Sequence, residues 1–464
     1  MSEHHPELTP PLDGHDLRVK ALGPCRRDSP LAELLYTRRT SHHYVDASDR
    51  VLIDDTVGMV GARRVAVEDL PGFDAGGPRR KIFFDPSKTR VGIVTCGGLC
   101  PGLNNVIRGL VMELTLHYGV RRIVGFRNGY QGFIARYRHP VMDLTPEVVR
   151  NINEDGGTIL GSSRGKQDPE EIVDCLEQLG INILFVIGGD GSLHGAQEIA
   201  GVVAARELRI AIVGVPKTID NDIPFIDHSF GFRTAFSQAT ESIRAAHIEA
   251  RSAPGGVGLV KLMGRHSGFI ACYAALAKND ADYVLIPEVP FELEGEEGFL
   301  AHLRRKVTER GYAVIIVAEG AGQEYLADEP ASADASGNVR LHDIQRLLQR
   351  RITEDFAAHG EELNLKLLDP SYVIRSVPAN PYDSVYCVRL AHAAVHAAMA
   401  GCTEVVVGRW HGRFVHIPIP VALSRRSTVE PDGDLWLSVL EATGQPAGWG
   451  PKGERPSFDP EDPA

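Results

Sequence analysis

The stretch Asn182-Ile-Leu-Phe-Val-Ile-Gly-Gly-Asp-Gly-Ser192 decides how the rest of the chain is read. Its apolar run ends in glycines, which predicts a buried parallel strand feeding a helix N-terminus. Free backbone N–H groups and the helix dipole favour a phosphate there. The glycines let a nucleotide lie against the backbone. Asp190 cannot bind a polyphosphate by direct contact, because like charges repel. The task that fits it is to hold Mg²⁺ between itself and the phosphates, which makes the stretch a phosphoryl-transfer signature. A tight structural turn is the alternative reading of the same glycines.

The 464 residues exceed what one core usually supports, so two domains with a cleft between them are expected. Hydrophobic residues at 43% and charged residues at 24% are ordinary globular values. No apolar run approaches the roughly 20 residues of a membrane span, so a soluble chain with no membrane partner is expected. The formal charge of −12 argues against nucleic acid and requires that an anionic substrate be met by a local basic cluster. Seven cysteines at irregular spacings do not suggest a disulfide framework and fit a reducing cytoplasm. Cys96 and Cys100 flank a glycine turn, and with no histidine or second cysteine pair to complete a zinc set they read as packing residues. The first residues lack the basic and apolar regions of a secretory signal.

Up to about residue 89, prolines and glycines interrupt every long period, so this part reads as an N-terminal extension wrapping a core or a neighbour. From Arg90 onwards short β-branched runs alternate with helical stretches, the rhythm of a parallel sheet in an α/β fold. Strands are predicted at 91–95, 183–187, 210–215, 257–262, 283–286, 313–318 and 404–407. Helices are predicted at 104–117, 169–179, 193–205, 233–250, 267–277, 295–310, 341–359 and 384–400, and a polar loop at 327–339. Ligands of open α/β sheets bind outside the carboxyl ends of strands, so the segments after the strands are read as one surface.

Thr95-Cys-Gly-Gly-Leu-Cys-Pro-Gly-Leu-Asn-Asn105 is a glycine-rich turn opening a helix, and no Gly-Lys-Ser/Thr follows, which disfavours a P-loop. Gly156-Gly-Thr-Ile-Leu-Gly-Ser-Ser-Arg-Gly165 puts Arg164 on a glycine-flanked loop where its planar fork can bridge phosphates; a surface salt bridge is the alternative. Pro216-Lys-Thr-Ile-Asp-Asn-Asp222 is more specific. Phosphorylating an alcohol needs a carboxylate near the hydroxyl, a second negative group near the metal and a cation near the transferred phosphoryl. Asp220, Asp222 and Lys217 meet those needs, and in an extended segment the two aspartates would point to one side. Lys261-Leu-Met-Gly-Arg265 and Glu319-Gly320 follow later strands, and Tyr372-Val-Ile-Arg375 places a phenol and a guanidinium three residues apart; a structural role is the alternative for each alone, and together they suit a sugar phosphate.

These motifs, in this order and approximate spacing, make the chain resemble the 6-phosphofructokinase family over roughly residues 90–420. The resemblance implies an α/β fold of two doubly wound domains with mainly parallel sheets, preceded by an N-terminal extension. The expected division is an extension at 1–89, a nucleotide-binding domain at 90–231, a sugar-phosphate-binding domain at 232–373, and a returning segment and tail at 374–464. It implies Asp220 as the general base toward the sugar 1-hydroxyl, with Arg164 and Lys217 as its catalytic partners. Asp190 is implied as the Mg²⁺ ligand, with Gly98, Arg164, Gly165, Gly189, Gly191 and Ser192 lining the phosphates of ATP. Fructose 6-phosphate is implied at Thr218, Ile219, Asp220, Met263, Gly264, Arg265, Glu319, Tyr372, Val373, Ile374 and Arg375, with Asp222 helping to place substrate and metal. A cytoplasmic homo-oligomer, dimer or tetramer, is also implied.

In that family glycine at position 191 leaves room for the α-phosphate of ATP, whereas pyrophosphate users carry an aspartate there. Lys217 is the residue of pyrophosphate users, and the pair Gly191 with Lys217 is similar to the plant-like and protist-like ATP-dependent subgroup. The steric argument weighs more, because a larger donor needs the space while a lysine is tolerable with either. Gly256 stands where the short bacterial enzymes carry a cross-subunit arginine, so that contact does not carry over by resemblance; Arg251 or another basic residue is the candidate substitute, and the effector sites of those enzymes do not transfer by motif. The alternatives are a pyrophosphate-dependent phosphofructokinase, an NAD or lipid kinase sharing Gly-Gly-Asp-Gly, and a regulatory paralogue without turnover. The second leaves Pro216–Asp222 unexplained, and the third usually loses a base or metal ligand that is present here.

Overall fold

The β-branched runs form two sheets. The computed structural model describes residues 16–32, 44–56, 70–327 and 341–449; the polar loop expected at 327–339 lies, past Ala327, outside them. In chain order the main strands are β1 (Arg50–Leu52), β2 (Gly72–Ala75), β3 (Arg90–Thr95), β4 (Arg122–Phe126), β5 (Met142–Asp143), β6 (Ile183–Gly188) and β7 (Ala211–Pro216). They continue as β8 (Gly256–Leu262), β9 (Tyr283–Leu285), β10 (Tyr312–Ala318), β11 (Asn364–Leu368), β12 (Val405–Trp410) and β13 (Arg413–Pro418). The helices used below are α1 (Leu103–Met112), α2 (Pro169–Leu179), α3 (Asp190–Ala205), α4 (Phe232–Arg251), α5 (Phe269–Lys278), α6 (Phe299–Arg310), α7 (Ile344–Ala358), α8 (Ser371–Ser376), α9 (Pro381–Met399) and α10 (Ile419–Ala422).

The chain divides into two units. Among the described residues, unit 1 holds the chain up to Thr234 and the returning segment Arg375–Arg426, and its sheet has the order β1-β2-β13-β12-β7-β6-β3-β4-β5. The five central strands from β12 to β4 are parallel. Every residue of β6 and β7 is buried, the mark of strands covered on both faces. The extension is built into this sheet: β2 pairs antiparallel with β13, Ala75 opposite Val415, and β1 adds at the edge. Helix ends follow local chemistry. Asp168 caps α2 by accepting from the Glu170 N–H at 2.9 Å, and Asn380 caps α9, whose Pro381 sits at the first helical position. The helix expected at 104–117 stops being α-helical at Met112 and continues as a π turn over Glu113–His117.

Unit 2 holds the described residues from Ala235 to Ile374 and from Ser427 onward, around the parallel sheet β9-β10-β8-β11. Its core joins Leu259 of β8, Ile315 of β10, Phe299 of α6 and Phe356 of α7, all fully buried. No described helix is long and apolar enough to cross a membrane.

Candidate active site

Three of the predicted loops leave unit 1 side by side, because β7, β6 and β3 are neighbours. Pro216 lies opposite Gly188, and Ile187 opposite Thr95, so the segments after 95, 188 and 216 emerge at one edge. There Asp190 is the first residue of α3, which begins three residues before the predicted start, and Gly189 precedes it in extended conformation. Ser192 is buried, and its carbonyl accepts the Tyr130 hydroxyl at 2.6 Å, which pins the start of the helix. Gly191 is exposed, and a Cβ there would meet nothing within 4 Å.

Lys217 ties the loops together. Its Nζ donates to the Gly98 carbonyl at 2.9 Å and its backbone N–H to that of Gly188 at 2.9 Å. Gly97 has φ +84°, so the turn needs glycine for its backbone, although a Cβ there would meet only ordinary contacts, the nearest being that Nζ at 3.4 Å. Burial pushes the Lys217 ammonium below the ordinary lysine range; the Arg164 charge adds to this, while Asp220 and the neighbouring thiols oppose it. The Arg164 loop is clamped to the same turn, Ser162 Oγ donating to the Gly97 carbonyl at 2.6 Å and the Gly97 N–H to the Ser163 carbonyl at 3.2 Å. Arg164 itself is exposed, its Nη2 3.6 Å from where a Gly98 Cβ would be. Gly165 follows at φ +102°. Cys96 and Cys100 are buried; burial pushes the Cys96 thiol up to about 12, and Cys100 Sγ donates to the Phe230 carbonyl at 3.2 Å.

The segment after β7 is a turn, not the extended run expected of it. Asn221 takes φ +60° and its side chain accepts the Ser229 N–H at 2.7 Å, so the alternation that would align Asp220 with Asp222 is broken between them. Thr218 Oγ1 instead donates to Asp222 Oδ1 at 2.5 Å and accepts the Asp220 N–H at 3.3 Å. Thr218, Asp220 and Asp222 are half-buried, and Ile219 is buried. Asp222 and Asp190 line one small hollow with Arg425 and Arg426. Arg426 Nη2 donates to Asp190 Oδ2 at 3.0 Å, and His194 Nδ1 stands 3.3 Å from Oδ1. Neither arginine was singled out from the sequence; the signal for them is the doublet itself, in an acidic chain whose substrate calls for a basic cluster.

Among the described residues no three His, Cys, Asp or Glu side chains could hold a metal by themselves. Two carboxylates in one hollow suit an ion that takes its remaining ligands from phosphate oxygens and water, which is how Mg²⁺ is usually held.

In unit 2, β8, β10 and β11 also end at one edge, Leu262 opposite Ala318 and Val260 opposite Leu368. Met263, Gly264 and Arg265 leave β8 beside Glu319: the Glu319 N–H donates to the Leu262 carbonyl at 2.9 Å and the Gly320 N–H to that of Gly264 at 3.0 Å. Lys261 spans the strand ends, 3.1 Å from Asp343 and 3.0 Å from Asp369. On the single turn of α8, Tyr372 and Val373 are exposed and Ile374 is buried; Arg375 begins the return into unit 1. No side chain fits at Gly256, where a Cβ would lie 1.8 Å from the Ala250 carbonyl oxygen. Arg251 ends α4 just before β8 begins, at the opposite edge of this sheet from Met263.

A family model described as Phosphofructokinase matches residues 90–398. The ATP-dependent 6-phosphofructokinase of Amycolatopsis methanolica is 59% identical over 441 residues, covering 94% of this chain and 96% of the relative. ATP-dependent 6-phosphofructokinase 7 of Arabidopsis thaliana is 46% identical over 412 residues, 88% of this chain and 83% of the relative. The solved pyrophosphate-dependent phosphofructokinase of Nitrosospira multiformis superposes with a TM-score of 0.64 at 20% identity, covering 80% of this chain and 96% of that one, a likeness of fold.

Proposed function

The chain belongs to the phosphofructokinase family, and on that premise we propose how its residues share the work of an ATP-dependent 6-phosphofructokinase. The reaction moves the γ-phosphoryl group of ATP to the 1-hydroxyl of D-fructose 6-phosphate, giving D-fructose 1,6-bisphosphate and ADP. The observation that carries ATP as donor is the open space over Gly191 at the start of α3. A donor with an α-phosphate and a nucleoside needs that space; pyrophosphate does not.

In this reading unit 1 is the nucleotide-binding domain and unit 2 the sugar-phosphate-binding domain. The N–H groups from Gly189 to Ser192 and the Gly98 turn receive the donor phosphates at a helix N-terminus. Asp190 would hold Mg²⁺ with Asp222 alongside, and the ion's charge would offset that of the phosphates. Asp220 takes the proton from the sugar 1-hydroxyl as its oxygen bonds to the γ-phosphorus; the bond to the bridging oxygen breaks and ADP leaves. Lys217, held against Gly98, fixes the glycine turn and sets a positive charge beside it. Arg164, on the loop clamped to Gly97, offers its fork to charge on the transferring group. Met263, Gly264, Arg265, Glu319, Tyr372, Val373, Ile374 and Arg375, with Thr218 and Ile219, hold fructose 6-phosphate. The reading includes a homo-oligomer in the cytoplasm.

The test is an initial-rate assay of the purified protein with fructose 6-phosphate, Mg²⁺ and either ATP or pyrophosphate. ADP-forming turnover with ATP and little with pyrophosphate is expected. The reverse preference would overturn the donor assignment.

A further inference from the structure

A cavity lined by three arginines lies at the other edge of unit 1's sheet. Arg90 opens β3 and Arg122 opens β4, and the two are paired in parallel register. Paired residues of parallel strands point to the same face, so two guanidinium groups start next to one another. Arg121 adds a third. All three line a cavity of about 500 Å³ whose floor includes Ile123, Leu144 and Ile181, all buried. Asp143 is the one carboxylate residue in that lining, and among the described residues no carboxylate comes within ion-pair distance of Arg121 or Arg122. Arg90 uses one N–H on the Leu179 carbonyl at 2.8 Å, which fixes its guanidinium and leaves other donors. Arg121 and Arg122 are exposed and Arg90 half-buried, so the three cations form a local positive site open to an anion, in a chain of net charge −12.

We propose that this pocket binds a small organic dianion, a phosphate monoester or dicarboxylate with a compact apolar body, independently of the donor and the sugar phosphate. The charge is met by the forks of Arg90, Arg121 and Arg122, and the body by the apolar floor. Independence follows from position: β3 carries Arg90 at one end and leads into the Gly97 turn at the other, roughly 17 Å away at the usual rise of a strand.

The test uses the full-length protein with saturating fructose 6-phosphate and a non-hydrolysable ATP analogue, so that both substrate sites are filled. Binding is then followed by calorimetry with phenyl phosphate, phthalate, inorganic phosphate and benzyl alcohol. Phenyl phosphate or phthalate is expected to bind, whichever is tighter naming the head group, with inorganic phosphate weaker and benzyl alcohol weakest. Replacing Arg121 and Arg122 together by alanine should weaken binding by roughly tenfold or more, the scale of a lost charge-assisted partner. Thr145→Glu, an exposed change that adds negative charge to the lining, should weaken it likewise, and turnover without the dianion should be unchanged in both variants. Equal binding by wild type and the double arginine variant, displacement of the dianion by the two substrates, or no binding to the wild type at millimolar concentration would overturn the proposal.

Discussion

Arg426 donates to Asp190 at 3.0 Å, so the carboxylate assigned to the metal is already engaged by a cation that the chain brings back 236 positions later. A metal held there would compete with the arginine for the same oxygens. Both side chains are about half exposed, and an exposed pair of this kind contributes at most about 1 kcal/mol. Arg426→Ala should therefore tighten the binding of bare Mn²⁺, read by water-proton relaxation without nucleotide, by a few-fold. Unchanged or weaker binding would mean that the arginine does not restrain the site.

The open space at Gly191 makes donor choice testable without disturbing the fold. The Cβ that Gly191→Asp adds meets no atom within 4 Å, and a carboxylate in the first turn of α3 gains about 0.3–1 kcal/mol from the helix dipole, set against repulsion from Asp190. The thermal midpoint should stay near that of the wild type. With the steric argument right, kcat/KM for ATP should fall by about 100-fold or more, a loss of roughly 3 kcal/mol of transition-state binding, while any rate with pyrophosphate does not fall. An equal loss with both donors would point to general damage.

Asp220→Asn keeps the shape of the side chain and removes its basicity. General-base catalysis contributes about 10²–10⁴-fold, so turnover should drop by that order while calorimetric binding of each substrate changes only a few-fold. A variant turning over near the wild-type rate would remove Asp220 from the role.

The parallel core was legible because its strands are buried on both faces and read as unbroken apolar runs, as at Ile183–Gly188. One core strand, Arg122–Phe126, was missed because its short run opens on an exposed arginine, and strands outside the pattern were missed as well. Asn364–Leu368, at a sheet edge, is only partly buried, and Arg413–Pro418 begins with an exposed arginine and contains a histidine. The extension gave no periodic signal because β1 and β2 are three and four residues long and owe their place to pairing, β2 with β13 and β1 with β2. At the candidate site, loops set by glycine spacing were readable, while the turn at Asn221 contains no glycine or proline to announce it and is held by Ser229, and the approach of Arg426 to Asp190 depends on a distant part of the chain.

His416 of β13 is buried, and neither ring nitrogen has a hydrogen-bond partner among the described residues. Burial, helped by Arg79, pushes it down to about 3, and burial likewise pushes His396 to about 3 and His228 to about 4. Between these values and the unfolded value of about 6.5 the unfolded chain binds more protons, so stability rises with pH there and is lost on acidification. Each such histidine contributes at most about 1.4 kcal/mol per pH unit across the window. His416→Leu also removes an unsatisfied polar group that costs about 1–3 kcal/mol. The variant should be more stable at pH 8 and gain further at pH 5, as read by denaturant unfolding. A gain that shrinks on acidification would contradict this.

Lys217 separates function from stability. Lys217→Met keeps the volume and loses the hydrogen bond to Gly98, costing about 1–2 kcal/mol. It also relieves the burial of an ammonium whose pKa the fold already lowers, a gain of similar size and opposite sign. The two nearly cancel, so the stability change should stay within about 1 kcal/mol, since one charge-assisted bond and one desolvated charge are of comparable magnitude. No such cancellation applies to the donor, which loses a cation beside the glycine turn in a site shielded from water. The kcat/KM for ATP should fall by at least about tenfold, with unfolding nearly unchanged, because electrostatic groups aimed at developing charge are worth more than their share of fold stability. A variant that unfolds several kcal/mol more easily, or that turns over ATP at the normal rate, would show that the lysine serves the fold rather than the phosphates.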